Sequence, residues 1–94
     1  MNQNEQDFYK RLQEELDKSS EWPLDYLFKF IVPVSEEKVQ TIKDSFQGAD
    51  AKIDVRNSST GKFTAVSIRV IMPSSQSIID KYLELTQIEG IISL

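Results

Sequence analysis

Arg56-Asn57-Ser58-Ser59-Thr60-Gly61-Lys62-Phe63-Thr64-Ala65-Val66-Ser67-Ile68 is the stretch that decides the fold. It reads as the end of one strand, a polar turn closing on glycine, and a β-branched second strand. Short polar side chains bond their own backbone and glycine enters φ > 0 freely, so these residues suit a tight reversal. Strand parity tests the idea. Ile53 and Val55 share a face on the first arm, and Val66, Ile68, Val70 and Met72 share one on the second. Side chains alternate along a strand, so the two apolar faces coincide only when paired residues have numbers of opposite parity. A loop of Ser58 to Gly61, with Asn57 opposite Lys62, meets that condition.

Outward from the hairpin, residues 25–32 form a strand closed by Pro33. Tyr26, Phe28, Phe30 and Val32 give it one wholly apolar face, and Leu27, Lys29 and Ile31 a mixed one. Ser35 then caps a helix with Glu36 and Glu37 in its first turn, where the dipole favours negative charge. Its buried face holds Val39, Ile42 and Phe46, and Gly48 suits its end. After the hairpin, Pro73-Ser74-Ser75 opens a second helix with Ile78, Tyr82 and Leu85 on one face. Gly90 precedes a last short strand, Ile91-Ile92-Ser93-Leu94. The order β-α-β-β-α-β predicts an α+β, ferredoxin-like domain. Right-handed crossovers place both helices on one face of a four-stranded antiparallel sheet of order 4-1-3-2. The expected core is Phe28, Phe30, Val39, Ile42, Phe46, Ile53, Val55, Val66, Ile68, Val70, Ile78 and Tyr82.

An extra helix leads the chain over residues 4–18, with Asn4 as N-cap and a stripe of Phe8, Leu12 and Leu16. A helix this short is marginal alone and must dock. The expected place is across the sheet face opposite the two core helices, or at its edge, with Trp22 anchoring the joint. The chain thus divides into residues 1–21, helix and joint, and residues 22–94, the ferredoxin-like domain.

Trp22-Pro23 leading into the Tyr26–Val34 strand, the Ser58–Ile68 hairpin and the terminal Gly90-Ile91-Ile92-Ser93-Leu94 together resemble the YbeD-like family, small bacterial proteins of unknown function. The resemblance covers roughly residues 20–94. It implies a ferredoxin-like fold similar to the ACT regulatory domains that sense amino acids between two copies, and it transfers no catalytic or binding residue. The chain departs from the pattern in having no histidine after the first core helix and in carrying Pro33-Val34 where a glycine turn is usual.

Composition narrows the chemistry. The 94 residues contain no Cys and no His, with 11 basic and 15 acidic side chains for a net charge of −4. Disulfides, imidazole bases, thiolate nucleophiles and the usual zinc, copper and iron ligands are excluded within this chain. An acidic domain gains little from phosphate electrostatics. No apolar run approaches the roughly 20 residues of a membrane span, and Glu5 and Asp7 stand where a signal peptide would be apolar. A cytoplasmic protein is expected. Thr60-Gly61-Lys62 is similar to the end of a phosphate-binding loop, but that motif needs a glycine at position 56, a hydroxyl at 63 and a following helix. Glu14-Glu15 and Glu36-Glu37 are neighbours on helices, so their carboxylates diverge. No enzyme, no metal site and no cofactor are expected.

The remaining candidate is the outer sheet face, carrying Lys52, Asp54 and Arg56, then Phe63, Ala65, Ser67, Arg69 and Ile71, then Leu27, Lys29 and Ile31. Partly apolar exposed faces mark interaction surfaces. Lys29, Arg56, Phe63 and Arg69 are the expected partner or ligand residues, with Arg56, Asp54 and Arg69 as a rim ion-pair cluster. The expected function is that of a small regulatory or adaptor module acting through protein contacts. A metabolite sensor at a homodimer interface and a weak RNA-binding module are the alternatives. DNA and membrane partners are not expected.

Overall fold

The computed structural model describes the backbone of residues 3–94 and side chains from Gln6 onward. The elements are α1 (Gln3–Ser19), β1 (Leu24–Pro33), α2 (Glu36–Ser45), β2 (Lys52–Asn57), β3 (Phe63–Met72), α3 (Ser75–Leu85) and β4 (Ile92–Ser93). The sheet order β2-β3-β1-β4 is 4-1-3-2 read from the other edge, and every neighbouring pair is antiparallel. The architecture is α+β and broadly ferredoxin-like. α1 includes Asn4, whose expected capping side chain lies outside the described residues.

Local chemistry explains the helix starts. The Ser35 hydroxyl accepts from the Lys38 amide at the head of α2. In α3, Ser74 and Ser77 form a reciprocal capping box, which satisfies two backbone donors that the first turn leaves unpaired. Gly90, at φ +80°, lets the chain pass Pro33 so closely that a Cβ would stand 2.9 Å from the proline ring. That passage brings β4 beside β1.

Parity decides the core. Phe28, Phe30 and Val32 of β1 and Val66 and Ile68 of β3 are fully buried beneath Ile42 of α2 and Ile78 of α3. Val70, Met72, Phe46, Tyr82 and Leu85 complete this layer. Phe28 packs its ring against Phe30, Phe46 and Tyr82 with centroids 5.2–5.9 Å apart, a spacing that favours aromatic pairs. Thr64, the polar member of the buried β3 face, donates its hydroxyl to Asn57 Oδ1 at 3.0 Å.

The hairpin keeps the expected parity but shifts by two residues. Asn57 lies opposite Thr64, not Lys62, and Ile53 lies opposite Ile68. Lys62 is taken by the other neighbour, because its carbonyl accepts from Val34 N at 2.9 Å and so extends the β1–β3 pairing. The reversal is closed by Ser58. Its amide donates to the Phe63 carbonyl, its carbonyl accepts from Gly61 N, and its hydroxyl accepts from Phe63 N. Gly61 supplies the required positive φ of 73°.

Three further expectations are corrected. Val55, expected in the core, is 39% exposed, while Val39 and Ile53 are only partly buried. β2 is the sheet edge and α2 does not close over it. That leaves a groove of about 560 Å³ lined by Val34, Val39, Val55, Asn57 and Thr64. α1 does not cross the sheet face opposite the core helices. It lies against α3, with Leu16 in the common core, Tyr9 stacked on Tyr82 at 6.1 Å, and the Ser75 hydroxyl donating to the Asp17 carboxylate. Trp22 does pack against the core at the joint. Phe8, expected to be buried, is 59% exposed, because the covered side of α1 is that of Tyr9, Leu12 and Leu16.

The asymmetry within α1 predicts contrasting truncations. Leu16→Ala should cost about 2–5 kcal/mol, as for other buried leucines, whereas Phe8→Ala should stay within about 0.5 kcal/mol of the parent. Urea unfolding of both variants measures the difference.

Tyr82 gives a pH prediction. Burial, reinforced by the 2.8 Å hydrogen bond to the Tyr26 hydroxyl, raises the Tyr82 pKa well above that of a free tyrosine. The folded state therefore holds this proton where the unfolded chain releases it, near pH 10. The resulting contribution is fully present below about pH 10 and is lost as pH rises beyond it. Stability measured by urea unfolding should fall above about pH 10, and Tyr82→Phe should make that fall shallower.

Candidate partner-binding surface

Among the described residues, none covers the face opposite the helices, where Leu27, Phe63, Ile71 and Ile92 stay exposed. Register places its residues in rows across the strands. Arg56, Ala65, Ile31 and Ile92 form one row. Asp54, Ser67 and Lys29 form the next, with Leu94 alongside, its amide donating to the Lys29 carbonyl. Lys52, Arg69 and Leu27 form a third, and Ile71 lies opposite Asp25 beyond it. Phe63 and Pro33 sit at the far end. Leu27, Phe63, Ile71, Ile92 and Leu94 are all exposed large apolar side chains on this face.

The charge here runs against the chain as a whole. The strands present Lys29, Lys52, Arg56 and Arg69 on this face against Asp25 and Asp54. The full sequence carries 11 basic and 15 acidic residues. An acidic protein therefore shows a cationic, partly apolar sheet face.

All four residues expected from the sequence lie on this face, but they do not form one cluster. Phe63 and Arg69 are six residues apart on β3, or about 20 Å at strand rise. Lys29 lies between them on β1 and Arg56 on the β2 edge. The expected rim cluster is reduced to one pair. Arg56 Nε meets Asp54 Oδ2 at 3.1 Å, with both side chains largely exposed, a setting where such pairs contribute little. Arg69 makes no ion pair among the described residues. It instead lines a shallow depression with Leu27, Lys52, Asp54 and Ser67.

Sequence reasoning missed Ile92 and Leu94 as extensions of this apolar surface. A two-residue strand has no alternation to read, so its facing becomes clear only once Ile92 pairs with Ile31. Thr60-Gly61-Lys62 lies in the β-hairpin and leads into a strand. Among the described residues, no three Asp or Glu side chains converge as metal ligands would. No helix there is long and apolar enough to cross a membrane.

A small α+β domain with one sealed and one bare sheet face is thus the class this geometry defines. The chain belongs to the YbeD-like family, described as "Protein of unknown function (DUF493)", whose pattern matches residues 17–94. The match begins in the last turn of α1, so most of that helix lies outside it. No curated protein and no solved structure matches the chain.

Proposed function

We propose that this protein is a small cytoplasmic adaptor or regulatory module that acts by binding, with the bare sheet face receiving an acidic, partly apolar segment of a partner protein. The reversal of charge on that face carries the reading. Lys29, Lys52, Arg56 and Arg69 can meet carboxylates, and Arg does so in a two-pronged geometry that Lys cannot match. Leu27, Ile31, Ile71 and Ile92 supply the apolar contact between them. Phe63 offers an aromatic anchor at one end.

Protein is favoured over RNA by the aliphatic character of the central strands. Single-stranded RNA is held by bases stacked on aromatic rings, and here Phe63 is the face's one aromatic side chain on β1–β3. A second reading, a small zwitterionic metabolite, is supported by the groove between α2 and β2. It pairs an apolar floor of Val39 and Val55 with Glu36 and Lys43 on its rim, and its volume suits a small ligand.

Fluorescence anisotropy with a labelled peptide alternating Glu and Leu tests the main reading. The wild-type chain should bind it, and Lys29→Glu with Arg69→Glu should weaken binding at least tenfold, about 1.4 kcal/mol, without lowering the unfolding temperature. Equal affinity for a Lys–Leu peptide, or an unaffected double variant, would contradict the proposal. Tighter binding to oligouridylate would favour RNA, and an amino-acid-dependent rise in unfolding temperature would favour the groove.

A further inference from the structure

The two sheet edges differ. β4 spans two residues, whereas β2 spans six, Lys52–Asn57. β2 carries no proline and its register against β3 runs without a bulge, so it lacks two of the devices that commonly blunt an edge. Its backbone orientation follows from the turn. Ser58 N donates to the Phe63 carbonyl, which makes 58 and 63 a hydrogen-bonded pair. Alternation along the ladder then directs the N–H and C=O of Lys52, Asp54 and Arg56 toward β3 and those of Ile53, Val55 and Asn57 outward.

The charges along this edge are antisymmetric about Val55, with Asp54 before it and Arg56 after it, so the strand is complementary to an antiparallel copy of itself. We propose that two copies of this chain join at β2, antiparallel, with Val55 opposite the second copy's Val55. In that register the outward residues pair with each other, Val55 with Val55 and Ile53 with Asn57. Asp54 lies opposite the second copy's Arg56, twice over. Sliding by one position either way sets Asp54 against Asp54 or Arg56 against Arg56, and like charges directly opposed destabilise a strand pair. Centring on Ile53 keeps opposite charges together but leaves only Lys52–Asp54 of the strand paired, so it forfeits ladder hydrogen bonds.

The same arrangement uses what the monomer leaves open. Asp54 and Arg56 already lie 3.1 Å apart along the strand, and the second copy completes a square of alternating charge. Val55, 39% exposed at the floor of the α2–β2 groove, is covered by its counterpart. The two-fold axis stands perpendicular to the sheet, so an eight-stranded sheet forms with both helix layers on one side. The two α2 helices run antiparallel, with the Glu36 end of one toward the Lys43 end of the other. Both bare faces then lie side by side on the opposite surface. An edge contact of this kind is small and gives a weak, concentration-dependent dimer.

Sedimentation equilibrium of the full chain tests this. The wild type should show a dimer whose population rises with concentration through the micromolar range. Val55→Pro removes an outward N–H while leaving the β3 ladder intact, as proline at an edge can. It should abolish the dimer. Asp54→Arg and Arg56→Asp should each lose self-association, their equimolar mixture should restore a heterodimer, and the double exchange should restore the homodimer. These charge variants decide the matter even if the proline variant fails to fold. A wild type that stays monomeric throughout, a dimer that persists in folded Val55→Pro, or single charge variants that self-associate as the wild type does would overturn the proposal. The peptide-binding face is tested separately and does not depend on this result.

Discussion

The structure depends on one constraint: the even-numbered side of β1 is apolar from end to end. Tyr26, Phe28, Phe30 and Val32 make that side, and the last three are entirely shielded from water. Burying three such side chains contributes roughly 1.5–3 kcal/mol each, and it requires cover from above and matched neighbours on the sheet. β3 supplies the neighbours through Val66 and Ile68, and α2 and α3 supply the cover through Ile42 and Ile78. Once these are in place, the odd-numbered side must face away from the helices. The bare face is therefore a consequence of the core and not an independent feature.

The leading helix leaves this outcome unchanged. Its contacts are with α3 and with the end of the core near Tyr82, so it widens the helix layer on the side that was already covered. Tyr82 is the meeting point. It touches Tyr9 of α1, Phe28 and Phe30 of β1, and shares a hydrogen bond with Tyr26. Four basic, two acidic and several apolar side chains are left on the other surface, together with the full length of β2 at the edge. The two surfaces proposed for binding are what remains when the chain's own elements have satisfied the β1 core.

Much of this was legible in the sequence because period-two alternation is strong here. The runs from Tyr26 to Val32 and from Val66 to Met72 each declare a face, and the turn residues declare the reversal between β2 and β3. Strand order and the facing of Lys29, Arg56, Phe63 and Arg69 followed. What was not legible depends on competition between neighbours. Lys62 could pair with Asn57 or extend β3 along β1, and only the assembled sheet shows that Val34 takes its carbonyl. Val55 has the right parity for the core, yet burial also requires a helix above it, and helix offset is not written in alternation. The stripe on α1 marked Leu16 correctly and Phe8 wrongly, since a narrow stripe does not say how much of its length finds a neighbour.

The central claim is that one sheet face is sealed by the helices and the other is open to water. Methyl relaxation enhancement by a soluble, uncharged paramagnetic agent tests it in a single spectrum. The methyls of Leu27, Ile71 and Ile92 should relax strongly, while those of Ile42, Ile68 and Ile78 should be nearly unaffected. Protection of Leu27 and Ile71 at concentrations where the chain is monomeric would mean that α1 covers the sheet face after all, and the account would be wrong.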